Sequence, residues 1–148
     1  MSAKDDGKRQ PRRRKKTVVD SQPANRLPNV VDFIELVPFT RRWAKLGLDE
    51  ESDLLALQLL VMSAPDAAPV IRGTAGLRKL RFSPPRWHTG KSGSTRVLYV
   101  CFERLRVVLL CLVYGKNEID DISDRVKATL NERIAETERE LRRLCTRK

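Results

Sequence analysis

Residues 70–118 read VIRGTAGLRKLRF, then SPPRWHTGKSGS, then TRVLYVCFERLRVVLLCLVYGKNE. Runs rich in β-branched, aromatic and aliphatic residues alternate with clusters of Gly, Pro and Ser, the pattern of an antiparallel meander. The expected strands are Val70–Phe82, interrupted at Gly73 and Gly76, then Thr95–Phe102 and Arg106–Tyr114. The unbroken VVLLCLVY of the last one suits a central strand buried on both faces. Between the first two strands lies Ser83–Ser94, a loop long enough to have a task of its own. The same 49-residue span holds ten Lys/Arg against Glu103 and Glu118, a net +8, with the cations at strand ends and in the loop. A sheet so charged is suited to a polyanion, and RNA is the first candidate.

Outward on the N-terminal side, Val30–Val37 reads as a strand stopped by Pro38. Thr40 is placed to cap a short helix, Arg41–Leu46, ending at Gly47. Asp49 is placed to cap a second helix, whose first turn sets Glu50, Glu51 and Asp53 against the positive end of the dipole. Leucines and Val61 make that helix apolar over a wide face, and Pro65 closes it. On the C-terminal side, Ser123–Leu144 has an apolar stripe of Val126, Leu130, Ile134, Leu141 and Leu144 at helical spacing. The opposite face alternates Glu with Arg, a solvated surface of weak ion pairs. The order β, α, α, β, β, β, α predicts an α+β fold: a small antiparallel sheet with two N-terminal helices and a C-terminal helix packed on it.

Residues 1–29, with KRQPRRRKK at their centre, form a basic tail of net +6 that lacks the apolar content to order itself. It reads either as a non-specific holder of phosphates or as a solubilising leader. The folded domain is expected over 30–148. No secretory signal and no apolar run near ~20 residues is present, so a cytoplasmic protein without a membrane association is expected. Cys101, Cys111 and Cys145 are odd in number and lack Cys-x-x-Cys spacing, which suits reduced thiols.

The residues rule against several chemistries. One His and three scattered Cys offer no zinc constellation, and no metal or other cofactor is expected. Glu118, Asp120 and Asp121 are explained by the N-terminus of the final helix. Gly90-Lys91-Ser92 lacks the spacing of a P-loop. Ser94 and Cys101 have no base within reach in sequence, because His88 is the only histidine. His88 itself reads as a proton carrier, a stacking group, or simply an exposed loop imidazole. What remains is a cationic set, Arg78, Lys79, Arg81, Lys91, Arg96 and Lys116, with Trp87, Tyr99 and Tyr114 available for stacking. Any one of these cations fits a solvated face; their grouping argues for more.

Three blocks, VIRGTAGLRKLRF, GKSGSTRVLYV and LVYGKNEIDDIS, resemble consecutive blocks of the RelE/HigB-type toxins of bacterial toxin–antitoxin pairs, with the HigB branch closest. The resemblance spans roughly residues 30–144, and the loop SPPRWHTGKSGS departs from the denser Lys/Gly run usual there. It implies a RelE-like fold and an mRNA interferase that cleaves ribosome-bound message and inhibits growth. It also implies a cognate antitoxin, commonly a helix-turn-helix DNA-binding protein. In such chemistry RNA's 2′-OH attacks the adjacent phosphate, so no metal or protein nucleophile is required. Arg96 and Arg78 are then expected to stabilise the phosphorane, because arginine stays protonated. Lys116 or Lys91 is expected to move protons, and Tyr114 to stack on a base or donate its hydroxyl. Lys79, Arg81, Arg86, Trp87 and His88 are expected to hold RNA. The alternative is a non-catalytic RNA- or DNA-binding module on the same fold.

Overall fold

A computed structural model describes residues 32–87, 94–116, 118 and 122–146. The basic tail, and with it the expected domain boundary near residue 30, lies outside the described residues. The fold is α+β, three helices on a four-stranded sheet. In chain order the elements are β1 (Asp32–Glu35), α1 (Val37–Lys45), α2 (Ser52–Ser63), β2 (Arg78–Phe82), β3 (Thr95–Phe102), β4 (Val107–Gly115) and α3 (Asp124–Thr146). The sheet order is β1-β4-β3-β2.

The meander forms as the sequence predicts: β2 pairs antiparallel with β3, and β3 with β4. The expectation of a wholly antiparallel sheet is corrected, because β1 pairs parallel to β4, Asp32 opposite Val107 through Glu35 opposite Leu110. A parallel partner needs a long crossover, and here the whole of α1, α2, β2 and β3 supplies it. β4 thus has a neighbour on each edge and an apolar layer on each face, which is what VVLLCLVY requires. Cys111 is the extra residue of a bulge: Leu112 faces Leu98, whereas Leu110 faces Tyr99.

Two layers enclose the sheet. On one face α1 and α2 pack Phe39, Trp43, Leu57 and Val61 onto Phe82, Val97, Tyr99, Leu110 and Val113. Trp43 stacks between Phe39 and Phe82, with ring centroids 5.3 and 6.1 Å away. Its indole N–H donates to the Asp49 carbonyl at 3.0 Å. On the other face α3 lays Leu130 and Ile134 over Leu98, Val100, Leu109 and Tyr114. Each such side chain, fully buried, contributes about 1.5–3 kcal/mol.

Several boundaries differ from the sequence reading. Helix α1 begins at Val37, with Pro38 in its first turn, where its missing N–H costs nothing. Thr40 is therefore inside the helix rather than its cap, and its hydroxyl donates to Glu35 Oε1 at 2.6 Å. Gly47, at φ 78°, follows the helix as expected. The expected cap at Asp49 is corrected: α2 starts at Ser52 with Glu51 as its N-cap, and Asp49 Oδ2 accepts from the N–H groups of Glu51 and Ser52 at 3.0 and 2.5 Å, which braces the turn leading into the helix. The span Val70–Phe82 is strand only from Arg78 on. Its first part is a turn closed by Ile71 N–H to Leu77 O at 2.8 Å, passing through Gly73 and Gly76 at φ 81° and 86°.

One buried charge ties the loop after β2 to α2. Asp53, whose side chain is 3% exposed, accepts from Arg86 Nη2 at 2.5 Å and from Arg86 Nε at 3.1 Å. It also accepts from the Asp49 N–H at 2.7 Å, and Arg86 Nη2 donates to Gly47 O at 3.1 Å. The Arg86 hydrogen bonds hold the Asp53 carboxyl below its ordinary range against the opposing effect of burial. The Arg86 side chain is 50% exposed, so the two partners are not equivalent. Removing the cation strands a buried carboxylate, whereas removing the acid leaves a guanidinium near water. Arg86→Met should therefore destabilise by about 3 kcal/mol, and Asp53→Asn by less, about 1–2 kcal/mol. Because the folded-state pKa of Asp53 is depressed, its contribution is present above the unfolded value and fades as pH falls through the folded one. In Arg86→Met the guanidinium that lowers that pKa most is gone, and burial, the largest remaining influence, raises it against the Asp49 N–H. The deficit of Arg86→Met against wild type should shrink on acidification, which urea unfolding at pH 7 and pH 4 measures.

Candidate nucleic-acid interface

Strand alternation decides which cations meet. In β2, Lys79 and Arg81 share one face, and Arg78, Leu80 and Phe82 the other. The register sets Arg81 opposite Arg96, and Arg96 opposite Tyr114, so these three form one row across β2, β3 and β4. Lys79 follows two residues along, opposite Leu98. The row lies on the α3 side of the sheet, as Leu98 and Tyr114 show by packing with Leu130 and Ile134.

Directly opposed like charges on neighbouring strands cost roughly 0.2–1 kcal/mol. Among the described residues neither Arg81 nor Arg96 belongs to an ion pair. Arg96 Nη1 donates instead to neutral oxygens, Ser94 Oγ at 2.9 Å and Thr95 O at 3.4 Å. Arg81 is exposed and Arg96 half-buried. The register thus sets two cationic side chains side by side on one face, where a phosphate would relieve their repulsion.

Lys116 reaches the same end of the sheet by a different route. Its N–H donates to Ser94 O at 3.4 Å, joining the exit of β4 to the entrance of β3, and its side chain is exposed. The turn carrying it is closed by Glu118, whose Oε1 accepts from the Gly115 N–H at 2.8 Å and from Arg42 Nη2 at 2.5 Å. Arg42 Nε also donates to Val113 O at 3.3 Å. The Gly115 N–H, and then Arg42, hold the Glu118 carboxyl below its usual range. This corrects the reading of Glu118 as a partner of the last helix. It turns back three residues onto its own strand end, and α1 supplies its cation. Ser123 is the residue found at α3's start, its Oγ accepting from Val126 N–H at 3.2 Å.

Other expected site residues are placed elsewhere. Arg78 lies on the opposite face, where its Nη1 donates to Asp66 O at 3.0 Å and Ala68 O at 2.5 Å. Its guanidinium ties down the connection between α2 and β2 and is not brought to Arg96. Arg86, expected on RNA, is held by Asp53. Trp87 is half-buried against the α1–α2 core rather than open for stacking. Tyr114 is in the row but only 1% exposed, so its ring backs the row from within the apolar layer and offers no face to a base. His88 and Lys91 lie outside the described residues.

Cys101 and Cys111 fit no nucleophilic role. Burial pushes Cys111 up to about 12 and raises Cys101 as well. Among the described residues no group of three or more His, Cys, Asp or Glu is gathered to hold a metal ion. Among them also, no helix is long and apolar enough to cross a membrane. A cleft of about 290 Å³ opens at the far end of the sheet, among Asp66, Arg78, Cys101, Glu103 and Glu138. Three carboxylates there disfavour phosphate, so the candidate interface is the cationic end and not this cleft.

No protein-family model matches the chain. Among solved structures, it is similar to the intact E. coli RelBE toxin–antitoxin complex, with 18% identity over 58% of this chain and 96% of that one, and a TM-score of 0.43. The isolated E. coli RelE toxin in its P21 form gives 20% identity, 71% and 99% coverage and a TM-score of 0.43. A double mutant of E. coli RelE in the free state gives 17%, 61%, 87% and 0.42. Identity this low carries no residue-by-residue correspondence, and the roles of residues rest on the geometry of this chain.

Proposed function

We propose that this chain is the toxin of a bacterial toxin–antitoxin pair, nearest the HigB branch of the RelE/HigB kind. In this reading it is an endoribonuclease that cuts messenger RNA on the ribosome without a metal, and a cognate helix-turn-helix antitoxin silences it. The observation that carries the proposal is Arg81 set opposite Arg96 at the sheet end where Lys116 emerges. The three sequence blocks support it, because the row and the Lys116 turn fall within them.

The chemistry follows from what this end of the sheet offers. The 2′-OH of RNA attacks the adjacent phosphorus, a 2′,3′-cyclic phosphate forms, and the 5′ oxygen leaves with a proton. Arg96 and Arg81 hold the phosphoryl oxygens, where negative charge grows most in the phosphorane. Lys116, with Lys91 of the loop, moves protons. Lys79 extends the cationic track along the strand. Tyr114 stiffens the row from beneath, and Glu118 with Arg42 fixes the turn that aims Lys116. The ribosome, whose RNA is polyanionic, is the natural target of a chain of net +11.

Induced expression in a bacterium should arrest growth and create new transcript 5′ ends; accumulation of folded protein with transcripts intact would refute the enzyme reading. Arg96→Ala should lower single-turnover cleavage roughly 10²–10³-fold while keeping most of the affinity. A module that only binds would lose affinity instead, and its salt slope would drop by about one per phosphate contact.

Two further variants separate structure from chemistry. Arg78→Ala should cost about 1–3 kcal/mol of stability, through the lost charged hydrogen bonds to Asp66 O and Ala68 O, and leave the cleavage rate of folded protein unchanged. Glu118→Ala should slow cleavage roughly tenfold or more by freeing the Lys116 turn. Glu118→Gln, which still offers Gly115 an acceptor, should retain more of the rate. Denaturation and single-turnover assays on the same preparations check both.

A further inference from the structure

Helix α2 turns leucines to water. Its inward face buries Leu57 and Val61, yet Leu55, Leu59 and Leu60 are 54%, 49% and 43% exposed. Leu55, Leu59 and Met62 follow i, i+4, i+7 and so lie along one stripe. Asp53, which is buried, is the only charged residue between Ser52 and Ser63. A surface helix ordinarily shows a polar or charged face to solvent, and a contiguous apolar one marks an interface. The charge around this stripe is unlike the rest of the chain. Residues 46–71 hold five acids and no Lys or Arg, within a protein of net +11. Asp49, Glu50 and Glu51 stand exposed at the N-terminal end of the helix, and Asp66 beyond its C-terminal end.

We propose that the outward face of α2 is a docking surface for a basic amphipathic helix of a protein partner. The leucine stripe takes the partner's apolar face, and the acids at both ends meet its Lys and Arg. Charge decides among the occupants. RNA is repelled by the acids that attract a basic helix. A second copy in isologous contact brings α2 against α2, and the last turn of α2 holds no cation to meet the opposing acids. The surface is also apart from the cationic row. Helix α2 packs on the layer of Phe82, Val97 and Val113, whereas Arg81 and Arg96 share the face covered by α3. A partner seated there leaves the cationic end open, and the surface does not depend on the ribonuclease reading.

The test uses the full chain and two designed helical peptides of about 16 residues with leucines at i, i+4 and i+7. One is flanked by Lys and the other by Glu. The Lys-flanked peptide should bind at least about tenfold more tightly in low salt, with the advantage shrinking as salt screens it. Its amide shift changes should concentrate on residues 50–63. Leu55→Gln with Leu59→Gln, both at exposed positions, should abolish the binding, and Glu50→Lys with Glu51→Lys should reverse the preference. Equal affinity for both peptides, shift changes elsewhere, or indifference to the leucine changes would overturn the proposal. So would a dimer in sedimentation that the leucine changes dissolve. A gain in peptide affinity when Arg12, Arg13, Arg14, Lys15 and Lys16 are all made Gln would assign the face to the chain's own basic segment, and would equally overturn it.

Discussion

The double burial of β4 is the constraint on which the rest of the molecule depends. Val108, Leu109, Leu110, Cys111 and Val113 are wholly inaccessible, with β1 on one edge, β3 on the other and a helical layer on each face. An unpaired backbone group in such a place would cost about 1–3 kcal/mol, so the pairing of β4 on both edges is obligatory. That pairing sets Tyr114 opposite Arg96 and brings Gly115 beside Thr95. The Cys111 bulge takes up the one-residue mismatch along the ladder, so the apolar sets on either side of it still face their own layers. A one-residue slip would turn Arg96 into the layer filled by Val97 and Val113 and scatter the cationic row.

Electrostatics then divides the surface. The fold tolerates two arginines face to face where a ligand can neutralise them, yet uses other arginines as internal ties. Arg86 and Arg78 hold the connections after β2 and before it, on Asp53 and on the carbonyls of Asp66 and Ala68. Arg42 serves the turn after β4. Asp49, Glu50, Glu51, Asp53 and Asp66 gather around α2 with no Lys or Arg among residues 46–71, on the other side of the sheet from the row. Each cation near the sheet thus has a position that says whether it is a tie or a contact, which net charge alone does not.

Much of this was legible in the sequence, for physical reasons. The limits of β3 and β4 follow from β-branched runs ended by turn residues, and Gly47 marks the end of α1 because only a residue without a Cβ takes its positive φ at no steric cost. The parallel pairing of β1 was not legible, since a four-residue strand leaves no signal for its partner or direction. The separation of Arg78 from Arg81 was available in principle: an odd spacing in a strand puts the two on opposite faces. The capture of Arg86 by Asp53 joins positions 33 apart through a contact that no spacing announces. The burial of Tyr114 depends on where α3 crosses the sheet, and the exposure of Leu55 and Leu59 on which side of a uniformly apolar helix meets the core.

The central claim is that this cationic end drives RNA's own 2′-OH against the neighbouring phosphate. The most direct measurement is end analysis of a defined message cleaved on the ribosome by EDTA-treated protein, alongside the same message carrying a single 2′-deoxy nucleotide at the cut. The account predicts a 2′,3′-cyclic phosphate on the upstream fragment, a 5′-OH on the downstream one, and no cleavage of the deoxy-substituted message. A 3′-OH paired with a 5′-phosphate, or undiminished cleavage at the deoxy position, would contradict it.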